Sequence, residues 1–323
     1  MAYTTTTQIT SMINNWAEKT LLSRAYPHFV HALWAQVKDI PSNSSTTIKF
    51  RRYGNLTAAT TALTEGVDPL GSQLSKTDTS TIVYQYGDFI IITDWLELTS
   101  IENVKLETVD ILGDQMYDTI DQLTRNVLAA GDTVQYAGTS TSRETIDDGM
   151  LLNGSEVKQA VRTLQGNNAK EITKQVDPSN GFNTSPVAPS YIGIISEDTL
   201  YDLDDDPDWV PIEEYAQSTG ILGPFEKGKL KNVRFVLAGS NAKTQTGTLV
   251  TTVHVTIILG QQAYGISRIS GQTLEVITKS SQGDTSDTSN PLNLRSTMGW
   301  KISYACTRLN ENFMIRVEHA VSA

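Results

Sequence analysis

Between Thr81 and Gly131 the spacing of apolar positions changes period. Ile82-Val83-Tyr84-Gln85-Tyr86 reads as a strand, Gly87-Asp88 as a break, and Phe89-Ile90-Ile91-Ile92 as its resumption. From Trp95 onward the spacing is helical: Val109, Leu112, Met116, Ile120, Leu123 and Val127 recur at three and four and share one face. Thr99 or Ser100 is placed to cap this helix, Glu102 falls in its first turn, and Gly131 stands at its C-terminal end. About thirty helical residues would span roughly 45 Å, longer than a compact domain needs, so an extended neighbour is expected. The opposite face, with Glu107, Asp110, Asp114, Asp118 and Asp121, is expected to stay wet or to meet a basic partner.

Taken in order, residues 1–44 hold a weakly helical segment over 16–37, interrupted by Pro27 and anchored by Trp16, Phe29, Leu33 and Trp34. It either packs on its own domain or docks as an arm on a neighbouring subunit. Residues 46–53 alternate Ile48, Phe50, Arg52 against Lys49, Arg51, Tyr53, a strand with two unlike faces whose expected antiparallel partner is 82–92. A polar stretch of roughly two dozen residues separates the two, far beyond an ordinary hairpin loop. It contains Leu63-Thr64-Glu65-Gly66-Val67-Asp68-Pro69, and it is either disordered or lies across another molecule. Strands of eight to ten residues would project such a tip roughly 30 Å.

Residues 132–149 read as loop, 154–164 as a helix capped by Ser155, and 167–190 as irregular. Strands are expected at 191–195, 233–237, 250–259, 274–278, 300–309 and 313–318, with a short helix starting at Ser196-Glu197-Asp198. Strands with segregated helices make an α+β pattern.

Composition narrows the function. The chain has 323 residues, enough for one large or two smaller domains, with 39% hydrophobic and 19% charged residues. Its 25 Lys and Arg stand against 36 Asp and Glu, a net charge of −11 with no basic block, so it can enclose nucleic acid without binding it. Cys306 is the only cysteine, which rules out an intrachain disulfide and a zinc site of paired cysteines. Met1-Ala2-Tyr3-Thr4 lacks a basic and apolar leader, so no signal peptide is expected. No window approaches eighteen apolar residues, so no membrane span is expected.

Candidate chemistry is sparse. Gly223-Pro224-Phe225-Glu226-Lys227-Gly228-Lys229-Leu230 follows a phosphate-loop pattern until Leu230 replaces the magnesium-binding hydroxyl. Pro224 also removes a needed N–H, and Glu226 puts negative charge where an anion would sit, so a plain turn is expected. Asp202, Asp204, Asp206 and Asp208, with Asp205 and Glu213, are the one candidate for a surface cation. Pro207 stands where a calcium loop requires glycine, so a solvated acidic helix end is expected instead. His28 and His31 read as structural or surface residues, His254 and His319 as isolated, and Cys306 as small and buried. With no nucleophile elbow, metalloprotease helix or dinucleotide fingerprint, neither an enzyme nor a cofactor is expected.

The order of an arm, a long two-stranded loop, a long helix and an α+β region resembles the tailed-phage major capsid protein of the Hong Kong 97-type (Johnson) fold. Within it, the chain is most similar to the N-four-like podovirus coat proteins. The resemblance rests on Arg52-Tyr53, 63–69, Gln85-Tyr86-Gly87-Asp88, Thr93-Asp94 and 118–121. It continues through Tyr201-Asp202-Leu203, Asp206-Pro207-Asp208-Trp209, 260–265, Asn290-Pro291-Leu292-Asn293, Gly299-Trp300-Lys301 and 314–318. Gly223-Pro224-Phe225-Glu226 departs from the Gly-Glu-Ile-Gly expected there.

The resemblance implies an N-terminal arm at 1–44, an extended loop at 45–94 and a peripheral domain with a spine helix at 95–149. It places an axial domain at 150–275 and return strands at 276–323. It implies a coat protein that self-assembles into hexamers and pentamers of an icosahedral shell around double-stranded DNA, made in the cytoplasm of a bacterial host and resident in the virion. Expected partners are further copies of itself, a separate scaffolding protein, a portal and a decoration protein. Expected intersubunit contacts are Trp16, Trp34, Lys49, Arg51, Arg52, Leu63, Glu65 and Asp68, with Glu65 pairing the basic strand of a neighbour. The alternative class is a Thr/Ser-rich β-type surface or carbohydrate-binding protein, which the long helix and the missing leader argue against.

Overall fold

The structure, a computed structural model, describes residues 30–54, 56–63, 65–66, 68–69, 71–100, 104–172, 189–214, 222, 225–249, 252–269, 274–279 and 290–322. Trp16, His28, Phe29, Glu102 and Gly223-Pro224, singled out above, lie outside these residues. In chain order the first elements are β1 (Gln36–Val37), β2 (Thr47–Tyr53), β3 (Lys76–Ile82), β4 (Tyr84–Thr93), α1 (Asp94–Thr99) and α2 (Val104–Ala129). Then come β5 (Val134–Tyr136), α3 (Gly154–Gly166), β6 (Tyr191–Ile195), α4 (Glu197–Asp204), β7 (Val210–Pro211), β8 (Glu226–Leu230) and β9 (Val233–Leu237). The chain closes with β10 (Lys243–Gln245), β11 (Val253–Leu259), β12 (Tyr264–Ser267), β13 (Glu275–Lys279), β14 (Arg295–Arg308) and β15 (Met314–His319).

Two sheets and a ribbon result. The first sheet runs β1-β12-β14-β13, with β4 on the other edge of the 14-residue β14. The second runs β5-β15-β11-β6-β9-β8-β7, with β10 also on β11. β2 and β3 form a separate two-stranded ribbon in antiparallel register from Thr47↔Ile82 to Tyr53↔Lys76.

α2 has 26 residues, and the six-residue α1 precedes it under its own cap, Thr93, whose side chain accepts from Leu96 N–H. Val109, Leu112, Met116 and Ile120 are buried as expected, facing the first sheet: Thr124 bonds Tyr304 at 2.5 Å, and Trp300 Nε1 donates to Gln115. Asp121, assigned to the wet face, is instead fully buried. Its carboxylate takes the N–H groups of Val30 and His31 and lies 2.7 Å from His31 Nδ1, which offsets the cost of burial.

The second sheet is covered on both faces. Ile192, Ile194, Ile257 and Leu259 join the core beneath α2, whereas Tyr191, Ile195 and Ile258 pack with Val157, Val161 and Leu164 of α3 and Leu203 of α4. Strands buried on both sides read as largely apolar runs, which is why β6 and β11 stand out in the sequence; the buried exceptions in β11, His254 and Thr256, carry hydrogen-bond partners.

Several expectations are corrected. β2 pairs with β3, not with 82–92; β4 pairs with β14 over Tyr84↔Tyr304 to Thr93↔Arg295. The strand is not broken at Gly87-Asp88 but at Val83. Gly87 stays in the ladder because a Cβ there would come within 2.4 Å of the Trp300 carbonyl, so close approach, not a turn, selects the glycine. α3 is capped by Asn153, which accepts from Ser155 and Glu156 N–H, and not by Ser155. Residues 132–149 contain β5, and β8 emerges from the phosphate-loop-like stretch.

Candidate intersubunit surface

The ribbon has one anchored end and one free end. Ile48 and Phe50, on one face of β2, are buried with Ile40, Val83 and Ala305 in a small core of their own. Lys38 braces them, its Nζ 5.8 Å from the Phe50 ring and donating to the Lys49 carbonyl at 2.9 Å. Beyond Phe50 the two strands pair only with each other. Every described residue from 51 to 78 is exposed, including Leu56, Leu63 and Leu74 at 54%, 76% and 70%.

Of the expected contact residues, Lys49, Arg51 and Arg52 stand exposed along β2. Leu63, Glu65 and Asp68 lie exposed in the tip. Arg51 is already engaged within its own ribbon, its Nε donating to Asp78 Oδ1 at 2.9 Å. The guanidinium holds the Asp78 carboxyl below the ordinary carboxylate value. Trp34 is half-buried against the chain's own main core.

A second exposed surface was not singled out from the sequence. Even-numbered residues of β4 face α2; odd-numbered ones face away, putting Phe89 and Ile91 outside at 61% and 52% exposure. Across the sheet, Phe89 aligns with Gly299 and then Ile277, forming one apolar row. Trp95 and Leu98, one turn apart on α1, extend the exposed apolar area. The signal was the unbroken run 89–92: four apolar residues in a strand require both faces to be apolar.

Most of the candidate chemical residues have structural partners, whereas Asp204 is exposed at the end of α4. Asp206 accepts from Gly154 N–H at 2.6 Å at the start of α3, where a helix favours negative charge. Asp208 pairs with Lys231, and Asp202 takes Ser322 near the chain's end. The acidic run therefore points at separate targets, and among the described residues no group of three or more metal-binding side chains converges. Glu226, in β8, is buried and paired with Arg234 at 2.8 Å, an inward-facing strand residue and not part of an anion nest. His31 is a buried partner of Asp121 in a turn. His254 and His319, isolated in sequence, are cross-strand partners with ring centroids 6.3 Å apart. Cys306, expected to be buried, is only partly covered as a residue, and burial of its thiol pushes that group up to about 12. Among the described residues no helix is long and apolar enough to cross a membrane.

No family model and no curated protein matches the sequence. Solved structures do match. The chain is similar to the capsid of Ralstonia phage GP4, with a TM-score of 0.70 over 92% of this chain and 91% of that one at 14% identity. It is similar to the head structure of Helicobacter pylori bacteriophage KHP40, with a TM-score of 0.63 over 92% and 90% at 14% identity. The cyanophage Pam1 capsid asymmetric unit matches with a TM-score of 0.63 over 93% and 92%, also at 14% identity. At these identities the likeness is one of fold, and this mixed helix-and-sheet chain has the fold seen in phage capsids.

Proposed function

We propose that the chain is a structural coat subunit of a tailed bacteriophage, with the Hong Kong 97-type fold as the N-four-like podovirus coat proteins use it. Copies assemble through hexamers and pentamers into an icosahedral shell around double-stranded DNA, and no catalytic step belongs to this role. Residues 1–44 act as the arm, 45–94 as the extended loop and 95–149 as the peripheral domain with α2 as spine. Residues 150–275 form the axial domain and 276–323 the return strands. A separate scaffolding protein and a portal serve assembly, a decoration protein is a further partner, and the shell forms in the bacterial cytoplasm before residing in the virion.

The observation that carries this reading is the ribbon. The described residues between 51 and 78 extend from the body with three large exposed leucines and gain no burial there. Ordering such a segment is unfavourable in a lone subunit, and an overlay on a neighbouring copy supplies the missing contacts. Repeated head-to-tail contacts of this kind close into rings when the rotation allows. Electron microscopy of the chain, expressed alone and with its scaffold, tests the proposal: shells, rings or tubes support it, and only monomers oppose it.

A further inference from the structure

We propose that the cleft at the C-terminal end of α2 is a binding site for a phosphate group. The cleft encloses about 600 Å³, opens to solvent, and is lined by Asn126, Arg143, Lys243, Thr244, Thr246 and Arg316, among others. Arg143 reaches in from the turn after β5, Arg316 from β15 and Lys243 from β10. The two arginines share a single acid. Arg143 Nε and Nη2 donate to the fully buried Glu318 at 2.8 and 2.7 Å, and Arg316 Nε lies 3.0 Å from Glu318 Oε1. Among the described residues Lys243 makes no ion pair. Three cations therefore line the cleft and a single carboxylate pairs with two of them, in a chain whose net charge is −11.

The negative end of α2 would oppose an anion here, but its terminal carbonyls are already engaged. Arg308 Nη1 donates to the Val127 carbonyl at 2.9 Å, and Arg316 Nη1 donates to that of Ala129. The remaining donors suit a compact tetrahedral anion. Guanidinium groups present N–H groups at the spacing of phosphate oxygens, and the ammonium adds a point charge. The hydroxyls of Thr244 and Thr246 and the Asn126 amide add neutral donors around the same space. The phosphate can belong to a nucleic-acid backbone or be free in solution, since both present the same oxygens. This site does not depend on the shell proposal, because a single subunit contains all of it.

The test compares full-length wild type and Lys243→Gln by thermal unfolding in sodium phosphate, chloride and acetate at equal ionic strength, with calorimetry for inorganic phosphate. Phosphate is expected to raise the wild-type Tm above both other salts. Lys243→Gln, on a short edge strand, should match wild type in chloride and bind phosphate about tenfold more weakly. A labelled short DNA duplex that binds wild type and not the variant assigns the phosphate to nucleic acid; a phosphate response without duplex binding assigns it to a free anion. Phosphate acting no better than chloride, acetate acting as well as phosphate, or a variant responding like wild type would overturn the site.

Discussion

Nδ1 of His31 lies 2.7 Å from Oδ2 of Asp121, and the two side chains are 1% and 0% exposed. The other Asp121 oxygen accepts from Val30 and His31 N–H, and Tyr264 Oη donates to the His31 carbonyl. One acid in mid-helix thus ties the segment entering the fold to α2 and, through Tyr264, to the first sheet.

Replacing Asp121 with Ala leaves a buried imidazole and two backbone N–H groups without their acceptor. The expected loss is about 3 kcal/mol, read as a lower midpoint in urea unfolding. An unchanged midpoint would mean that the carboxylate does not stabilise this junction.

The two facing histidines predict acid sensitivity. Burial, reinforced by the His254 ring, pushes His319 down to about 4; burial lowers His254 against the pull of Asp198 and Asp202. His254 Nδ1 bonds Ser196 Oγ at 2.9 Å, and His319 bonds Thr256 Oγ1 and the Ala320 carbonyl. An unfolded histidine titrates near about 6.5, so between that pH and about 4 the unfolded chain binds more protons. Stability present above about pH 6.5 is therefore lost as pH falls, by roughly 3 kcal/mol from His319 alone. Urea unfolding at neutral and acid pH should show this slope flattened in His319→Gln. Equal slopes in the two proteins would contradict the assignment.

Gly299 lies in β14 opposite Phe89, and a Cβ there would come within 2.6 Å of Phe89 Cβ and 2.7 Å of the Asp88 carbonyl. Backbone cannot yield as a side-chain end can, so Gly299→Ala is expected to cost about 1–3 kcal/mol. The Tm of the purified variant measures this, and a wild-type value would show that the sheet absorbs the methyl group freely.

What the residues revealed in advance follows from how each element is buried. β6 was legible because apolar residues cover both faces, β11 because five of its seven residues are apolar, and α2 because Val109, Leu112, Met116 and Ile120 repeat at helical spacing. β8 was missed because Glu226 and Lys229 read as surface residues, whereas Glu226 turns inward to Arg234. Asp121 was misplaced because helical spacing cannot show that a distant N–H pair descends onto a helix face. The partner of β2 was misassigned because the strongest nearby apolar run, 89–92, belongs to β14's ladder, and the true partner β3 is Lys-Thr-Asp-Thr-Ser-Thr-Ile. The ribbon's exposure was legible from its polar length; what covers it was not, because that lies on another molecule in the proposed assembly.

Joining the cross-strand partners Tyr53 and Lys76 through an Asn-Gly turn removes the tip without disturbing the paired strands. The subunit is expected to melt as wild type does, since the removed described residues are all exposed. Closed particles should disappear, because losing even about 1.4 kcal/mol weakens each association tenfold and a shell repeats the contact at every subunit. Normal particles would refute the overlay, and an insoluble subunit would place the tip within its own fold.

Cryo-electron microscopy of particles from cells expressing the wild-type chain with its scaffold tests the central claim most directly. The expected result is a closed shell in which density for residues 47–82 lies across an adjacent copy of the chain. A chain that remains monomeric, or a shell in which this ribbon contacts only its own subunit, would contradict the account.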